Sequence, residues 1–301
     1  MERVRVGIVG GGPWAQQVHA TALSTHPRAR LAGFWTRRPA VADELATRFG
    51  TQAFADPEQL FDAVDVVAFA VPPRVQGELA VRAAAAGRHL ICEKPLADTV
   101  PAARAVVDAV RAAGVHSSLV LTLRHDESIR AWLAGLPPAP AGPDTVGSAR
   151  WLSGALLGGP YAGSRWRVEE GALLDLGPHA LDLLDAALGP IRTVDWAHYA
   201  EPDLWQIGLT HAGGAHSTVT LSIRLPVDPS EIEFAVFGPT GRHRVGRAAD
   251  PIACFTHLLD ELVAAIDGTG PPPPLDAARG LRLQELIEQV HRVGGRVSPA
   301  E

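Results

Sequence analysis

Along the first third of the chain, short apolar runs alternate with amphipathic stretches. Residues 4–9 read as a strand, Pro13 opens a helix that runs toward Thr25, and residues 30–35 read as the next strand. Proline suits a first helical turn because its missing N–H would have no partner there. The pattern continues with a helix over 40–49 that stops at Gly50, a strand over 64–71 and a helix over 74–86 closed by Gly87. A strand over 88–92, a helix over 99–113 closed by Gly114, and a strand over 115–121 complete the series. Strands that are apolar on both faces and separated by helices predict a parallel sheet covered on both sides, an α/β doubly wound fold.

After residue 121 the pattern changes. A helix over 128–136 leads into the proline-rich stretch 137–143, which reads as a surface loop. Residues 215–225 and 231–237 alternate apolar and polar positions with period two, the signature of half-buried strands in an antiparallel sheet. A second proline run, 271–274, precedes a closing amphipathic helix over 276–293. The expected organisation is a dinucleotide-binding domain over 1–121 and an α+β domain with a mostly antiparallel sheet over 122–301, with the ligand between them.

The turn after the first strand reads Gly10-Gly11-Gly12-Pro13-Trp14-Ala15, a GxGxxA sequence inside a βαβ unit of about thirty residues. In that setting Gly10 permits the turn, Gly12 lets the backbone approach a pyrophosphate, and Ala15 allows close helix packing. The helix N-terminus adds free N–H groups and a partial positive charge for phosphates. At the end of the second strand an acidic residue would bind the ribose 2′-hydroxyl, but the chain has Trp35-Thr36-Arg37-Arg38. A hydroxyl followed by two guanidiniums suits a 2′-phosphate, so NADP(H) is favoured over NAD(H).

Composition adds one pointed observation. Of the 27 Lys and Arg residues, 26 are arginine and Lys94 is the single lysine. It lies in His89-Leu90-Ile91-Cys92-Glu93-Lys94-Pro95, at the end of a buried strand, where side chains reach a cleft. Ammonium is a compact charge whose pKa falls on burial, whereas guanidinium is bulkier and always protonated, so a site that keeps lysine suits proton handling. The net charge of -6 is mild and the cations are scattered, which argues against a nucleic-acid or membrane-surface partner and for a small polar ligand. Cys92 and Cys254 are far apart and outside any CxxC pattern, as expected in a reducing compartment; Cys92 reads as a buried strand-end thiol. The opening residues carry no signal-peptide pattern and no apolar run reaches membrane length, so a soluble cytoplasmic protein is expected.

A third segment carries chemistry: Gly171-Ala172-Leu173-Leu174-Asp175-Leu176-Gly177-Pro178-His179. Gly177-Pro178 reads as a helix start, with Asp175 just before it and His179 in its first turn. An imidazole near neutral pKa suits proton exchange with an alcohol or ketone oxygen, which a nearby Lys94 would stabilise. Asp175 and His179 offer two metal ligands without an obvious third, so no metal is expected. Arg124, His125, Trp151, Trp166 and Arg167 are candidates for substrate contact. Leu90 stands four residues before Lys94, so the YxxxK pair of short-chain dehydrogenases is excluded, and no GxSxG nucleophile turn occurs.

Taken together, the GxGxxA turn, the strand ending in Glu93-Lys94-Pro95 and the 171–179 segment resemble the Gfo/Idh/MocA oxidoreductase family over essentially the whole chain. The resemblance implies a Rossmann N-terminal domain and a C-terminal domain on a mostly antiparallel sheet. It further implies homodimers or homotetramers formed through that sheet, and hydride transfer between a nicotinamide and a sugar, cyclitol or related compound. Lys94, Asp175 and His179 match the residues that line the family's site. Gly10, Gly12, Pro13, Trp14, Ala15, Thr36, Arg37, Arg38, Pro72, Glu93 and Lys94 are the expected cofactor contacts. The chain departs from the family at Gln76, where a histidine is frequent, and at Thr122, where an asparagine is frequent. Two other functions fit the same fold: an NADP-binding sensor without catalysis, and a hydrolase or lyase that uses the nicotinamide transiently.

Overall fold

Six short strands, β1 (Val4–Val9), β2 (Ala29–Trp35), β3 (Gln52–Ala53), β4 (Val66–Phe69), β5 (His89–Cys92) and β6 (Ser117–Leu119), form one all-parallel sheet in the order β3-β2-β1-β4-β5-β6. Val6, Ile8, Val67, Ala68, Leu90 and Ile91 are fully buried. Side chains this apolar on both strand faces require helices on both sides, and the sequence supplies them between successive strands. The strand order reverses beside β1, so the crevice at the carboxyl ends of β1 and β4 is where this topology holds ligands. The structure is a computed structural model and describes residues 3–158, 162–163, 165–246 and 250–295.

The chain divides into two units, one drawn from Met1–His125 and Asp250–Arg282, the other from Asp126–Ala249 and Leu283–Glu301. The expected boundary after residue 121 lies four residues early, and the expected continuous second domain is interrupted. The reason is the helix Pro251–Ile266, which the sequence reading did not single out. It buries Cys254, Phe255, Leu258, Leu259, Leu262 and Val263, and it joins Ala15, Val18, Leu23 and Phe34 in the core of the first unit. Each large apolar side chain buried this way contributes roughly 1.5–3 kcal/mol. Asp250 caps this helix by accepting the Ile252 N–H at 2.9 Å. The Leu119 N–H bonds the Leu275 carbonyl at 2.6 Å, tying the returning segment to β6.

The second unit is built on β7 (Val146–Leu152), β8 (Ile191–Ala200), β9 (Leu204–His211), β10 (His216–Ser222), β11 (Glu231–Gly238) and β12 (Gly241–Gly246), in the order β12-β11-β7-β10-β9-β8. Only β7 and β10 run parallel, so the sheet is mixed and mostly antiparallel, in line with expectation. One face packs on the helical stretch Arg165–Leu188, which contributes Leu173, Leu181, Leu184 and Leu188. Inside this unit His211 is fully buried, with Nδ1 2.7 Å from the Gly189 carbonyl and Nε2 2.8 Å from Ser217 Oγ. Burial depresses its pKa, so it serves as a neutral structural imidazole. Among the described residues no helix is long and apolar enough to cross a membrane.

Candidate active site

The nucleotide-binding features lie within the first unit. A pocket of about 440 Å³ is walled by the turn Gly10–Gly12 after β1, by Trp35–Arg38 after β2, and by Ala70–Pro72 after β4. Gly10 has φ +129, and a Cβ there would sit 2.3 Å from the Ala70 carbonyl oxygen, so only glycine fits. Gly12 is different: a Cβ there would meet no protein atom within 4 Å. The helix beyond it starts at Pro13 and winds a π-helical turn over Ala15–Ala20 before continuing as Thr21–Thr25. Ala15 is fully buried, the close-packing role expected of it.

These features fit a dinucleotide. The open space at Gly12 faces the start of a helix, where a pyrophosphate finds free N–H groups. Gly12→Val is therefore expected to leave thermal stability near wild type while abolishing most NADPH binding, and Gly10→Ala to lower the melting temperature. A fluorescence titration and a melting curve of each variant check the pair.

At the far wall, Thr36 turns its hydroxyl inward to the Arg38 carbonyl at 2.6 Å, closing the loop after β2. Arg37 and Arg38 are exposed, line the pocket, and form no ion pair among the described residues. Pro72 lines the opposite wall. Trp14 and Glu93 are brought together with each other: the indole N–H donates to Glu93 Oε1 at 2.6 Å, and His19 Nε2 lies 3.0 Å from the same oxygen. His19 is fully buried and stacks on Phe255 with ring centroids 4.2 Å apart.

Lys94 follows β5 and is half-buried. Cys92 is buried beside it, and burial together with the Glu93 charge pushes its thiol up to about 12. That value removes it as a nucleophile near neutral pH. Arg124 is half-buried, and His125 is 2% exposed with Nδ1 3.8 Å from Glu261 Oε2.

In the second unit the 171–179 segment departs from the expected geometry. The helix does not start at Gly177-Pro178. The stretch Arg165–Leu188 breaks at Gly171, whose φ of 70 and ψ of -165 are non-helical, and a fresh helical run begins at Ala172. Asp203, buried and brought in from the β8–β9 connection, accepts the Ala172 N–H at 3.0 Å and the Ile223 N–H at 3.2 Å. A carboxylate at a helix N-terminus is stabilised by the unpaired N–H groups there, and that fixes the start. A Cβ on Gly171 would lie 2.5 Å from Asp203 Oδ1, which explains the glycine. Asp175 and His179 are consequently both inside the helix, one turn apart on one face.

Both side chains are largely buried. Arg167 Nε donates to Asp175 Oδ2 at 3.1 Å, and the Arg167 guanidinium stacks over the Trp166 ring at 4.8 Å. The Trp151 ring lies 5.7 Å from that of His179. Thus four of the residues singled out from sequence form two pairs, Trp151 with His179 and Arg167 with Asp175, set one helical turn apart. Sequence reasoning missed Asp203, which starts the helix, and His19, which holds Glu93; neither sits in a recognisable motif. Gln76 was noted only as a departure from the family, and its bonds to the Glu93–Leu96 backbone were not foreseen.

The first unit thus carries a dinucleotide pocket on a doubly wound sheet, and the second, mixed-sheet unit carries a histidine–carboxylate cluster. Residues 4–120 match the family model described as the oxidoreductase family with an NAD-binding Rossmann fold. That match spans the first unit's sheet and pocket, and over those residues the chain is similar to the Gfo/Idh/MocA oxidoreductase family. It is 27% identical to levoglucosan dehydrogenase of Pseudarthrobacter phenanthrenivorans over 65% of this chain and 54% of that one, so the chain spans about half the length of that relative. It is 28% identical to the dTDP-3,4-didehydro-2,6-dideoxy-alpha-D-glucose 3-reductase of Streptomyces antibioticus over 83% of this chain and 77% of that one. In fold it is similar to GenD2 from gentamicin A biosynthesis, solved in complex with NAD. That likeness has a TM-score of 0.86 at 23% identity and covers 98% of this chain and 95% of that chain.

Proposed function

We propose that the protein is an NADP(H)-preferring oxidoreductase that interconverts a secondary alcohol and a ketone on a sugar, cyclitol or related small polar molecule. The observation that carries this reading is the pocket at Gly10–Gly12 with two uncommitted guanidiniums, Arg37 and Arg38, on its rim. The names of the relatives support the sugar-like substrate. When bound, the nicotinamide supplies or accepts the hydride. In this reading Lys94 donates a hydrogen bond to the reacting oxygen and stabilises its developing negative charge. His179 and Lys94 are the two groups suited to move the proton of that oxygen. Asp175, already held by Arg167, orients a neighbouring substrate hydroxyl or the His179 ring. Trp166 and Arg167 form a stacked pair of the kind that packs against a sugar face. Arg124 is assigned to the substrate as well.

The preference for a 2′-phosphate rests on charge-assisted hydrogen bonds, worth roughly 1.5–3 kcal/mol. Wild type is expected to bind NADPH more tightly than NADH, and Arg37→Ala to remove most of the difference. Fluorescence titration of both cofactors tests this, and equal affinities in wild type would refute the phosphate reading.

We assign oligomerisation, as a homodimer or homotetramer, to the open face of the second unit's sheet. Val146 and Phe237 are paired across β7 and β11, and Trp196 projects from the same face on β8; all three are exposed. A cytoplasmic location is in keeping with two buried cysteines that form no disulfide.

A further inference from the structure

Between the end of β5 at Cys92 and the helix beginning at Val100 the chain has no regular secondary structure, yet Pro95, Leu96 and Ala97 are buried. Buried backbone polar groups outside helices and sheets must find other partners. Here one side chain provides them. The carboxamide of Gln76, fully buried, accepts the Glu93 N–H through Oε1 at 2.8 Å. Its Nε2 donates to the carbonyl oxygens of Glu93 at 2.7 Å, Leu96 at 2.9 Å and Pro95 at 3.2 Å. Those groups lie on both sides of Lys94. From another direction the Glu93 carboxylate is gripped by the Trp14 indole and by His19. The same helix that carries Gln76, Pro73–Ala85, presents the preceding residue, Val75, to the nucleotide pocket.

We propose that Gln76 is the positioning residue of Lys94: its carboxamide clamps the backbone before and after Lys94 and so fixes where the ammonium can reach. Three carbonyls and one N–H surround this single carboxamide: the two Nε2 hydrogens serve the three carbonyls, one hydrogen being shared, and Oε1 accepts once, all from one rigid plane and without charge. A methionine of similar length fills the space and leaves those backbone groups without partners. A histidine restores one donor and one acceptor.

This inference rests on the assignment of Lys94 to the reacting oxygen, but its test does not. Because Lys94 is the only lysine, the rate at which an amine-directed acylating reagent modifies it, followed by mass spectrometry at one alkaline pH, reports its placement directly. The comparison is between wild type, Gln76→Met, Gln76→His and the exposed control Gln59→Met, each also assayed for kcat and for the KM of NADPH. In Gln76→Met the labelling rate of Lys94 is expected to change several-fold, and kcat to fall by roughly ten- to a hundredfold with KM nearly unchanged. Gln76→His recovers part of both, and Gln59→Met behaves as wild type. If Gln76→Met does not fold, Gln76→His carries the same comparison. Labelling of Lys94 at the wild-type rate in every folded Gln76 variant overturns the proposal, as does a KM that rises in step with the loss of kcat. Altered labelling in a protein whose wild type reduces no polyol or keto-sugar upholds the positioning and overturns only the assigned chemistry.

Discussion

Lys94→Arg is expected to fold, to bind NADPH like wild type, and to lose turnover almost as severely as Lys94→Ala, by roughly a hundredfold or more. The two variants separate charge from shape. Arginine keeps the positive charge but replaces a compact ammonium with a planar group of different reach, and it cannot give up its proton near neutral pH. The segment that carries Lys94 is tied down before and after that residue by Gln76, and the Glu93 side chain is held by Trp14, which limits its room to accommodate a longer group. A drop in kcat and kcat/KM by the same factor would mark an interaction made in the transition state. Amine-directed modification offers a second measurement, since inactivation should follow a single side-chain adduct and NADP with a substrate analogue should slow it. Full activity in Lys94→Arg would reduce Lys94 to a structural cation and leave the proton transfer to another group.

Much of the first unit was readable in the sequence because its strands are buried on both faces and its helices carry their own stop signals. Gly50 and Gly114 end their helices with φ of 62 and 65, the left-handed conformation that glycine tolerates. The misses there are informative. β3 is two residues long, too short to leave a pattern, and the helix Pro57–Ala63 before β4 is a two-turn element announced only by its cap Asp56 and its first-turn Pro57. The helix Pro251–Ile266 is strongly apolar and so was visible in principle, but nothing local reveals that it returns to the first sheet. That assignment depends on contacts with Val18 and Leu23 from the far end of the chain.

The second unit was harder. β10 and β11 were legible from their alternation, whereas β7, β8, β9 and β12 were not singled out. β9 is buried at nearly every position, and β8 is mostly exposed with two register shifts, so neither shows a clean period of two. In the 171–179 segment the candidate residues were legible and the local geometry was not. The motif at 171–179 pointed to Asp175 and His179, but proline at 178 suggested a helix start that the chain makes six residues earlier. The deciding partner, Asp203, is thirty-one residues away from Ala172 in sequence. A capping carboxylate supplied by another segment leaves no local trace.

That corrected geometry sharpens the expectation for His179→Ala. With Asp175 and His179 one turn apart on a helix anchored by Asp203, the imidazole is held by its own element and by packing near Trp151, all within the second unit, while the nucleotide pocket is lined by first-unit residues. NADPH binding is therefore expected to survive the substitution, while turnover falls by roughly a hundredfold or more, the usual contribution of a general acid or base. Loss of the ring also removes packing, so His179→Gln serves as the companion variant: it fills most of the volume but cannot exchange a proton near neutral pH. Equal losses in both would assign the effect to proton transfer; recovery in His179→Gln would assign it to packing or hydrogen bonding. Among the described residues no three His, Cys, Asp or Glu side chains gather as metal ligands, and EDTA is expected to leave wild-type turnover unchanged. Activity lost to EDTA and restored by a divalent cation would instead make His179 a ligand, and wild-type turnover in His179→Ala would leave it a buried helix residue with no part in the chemistry.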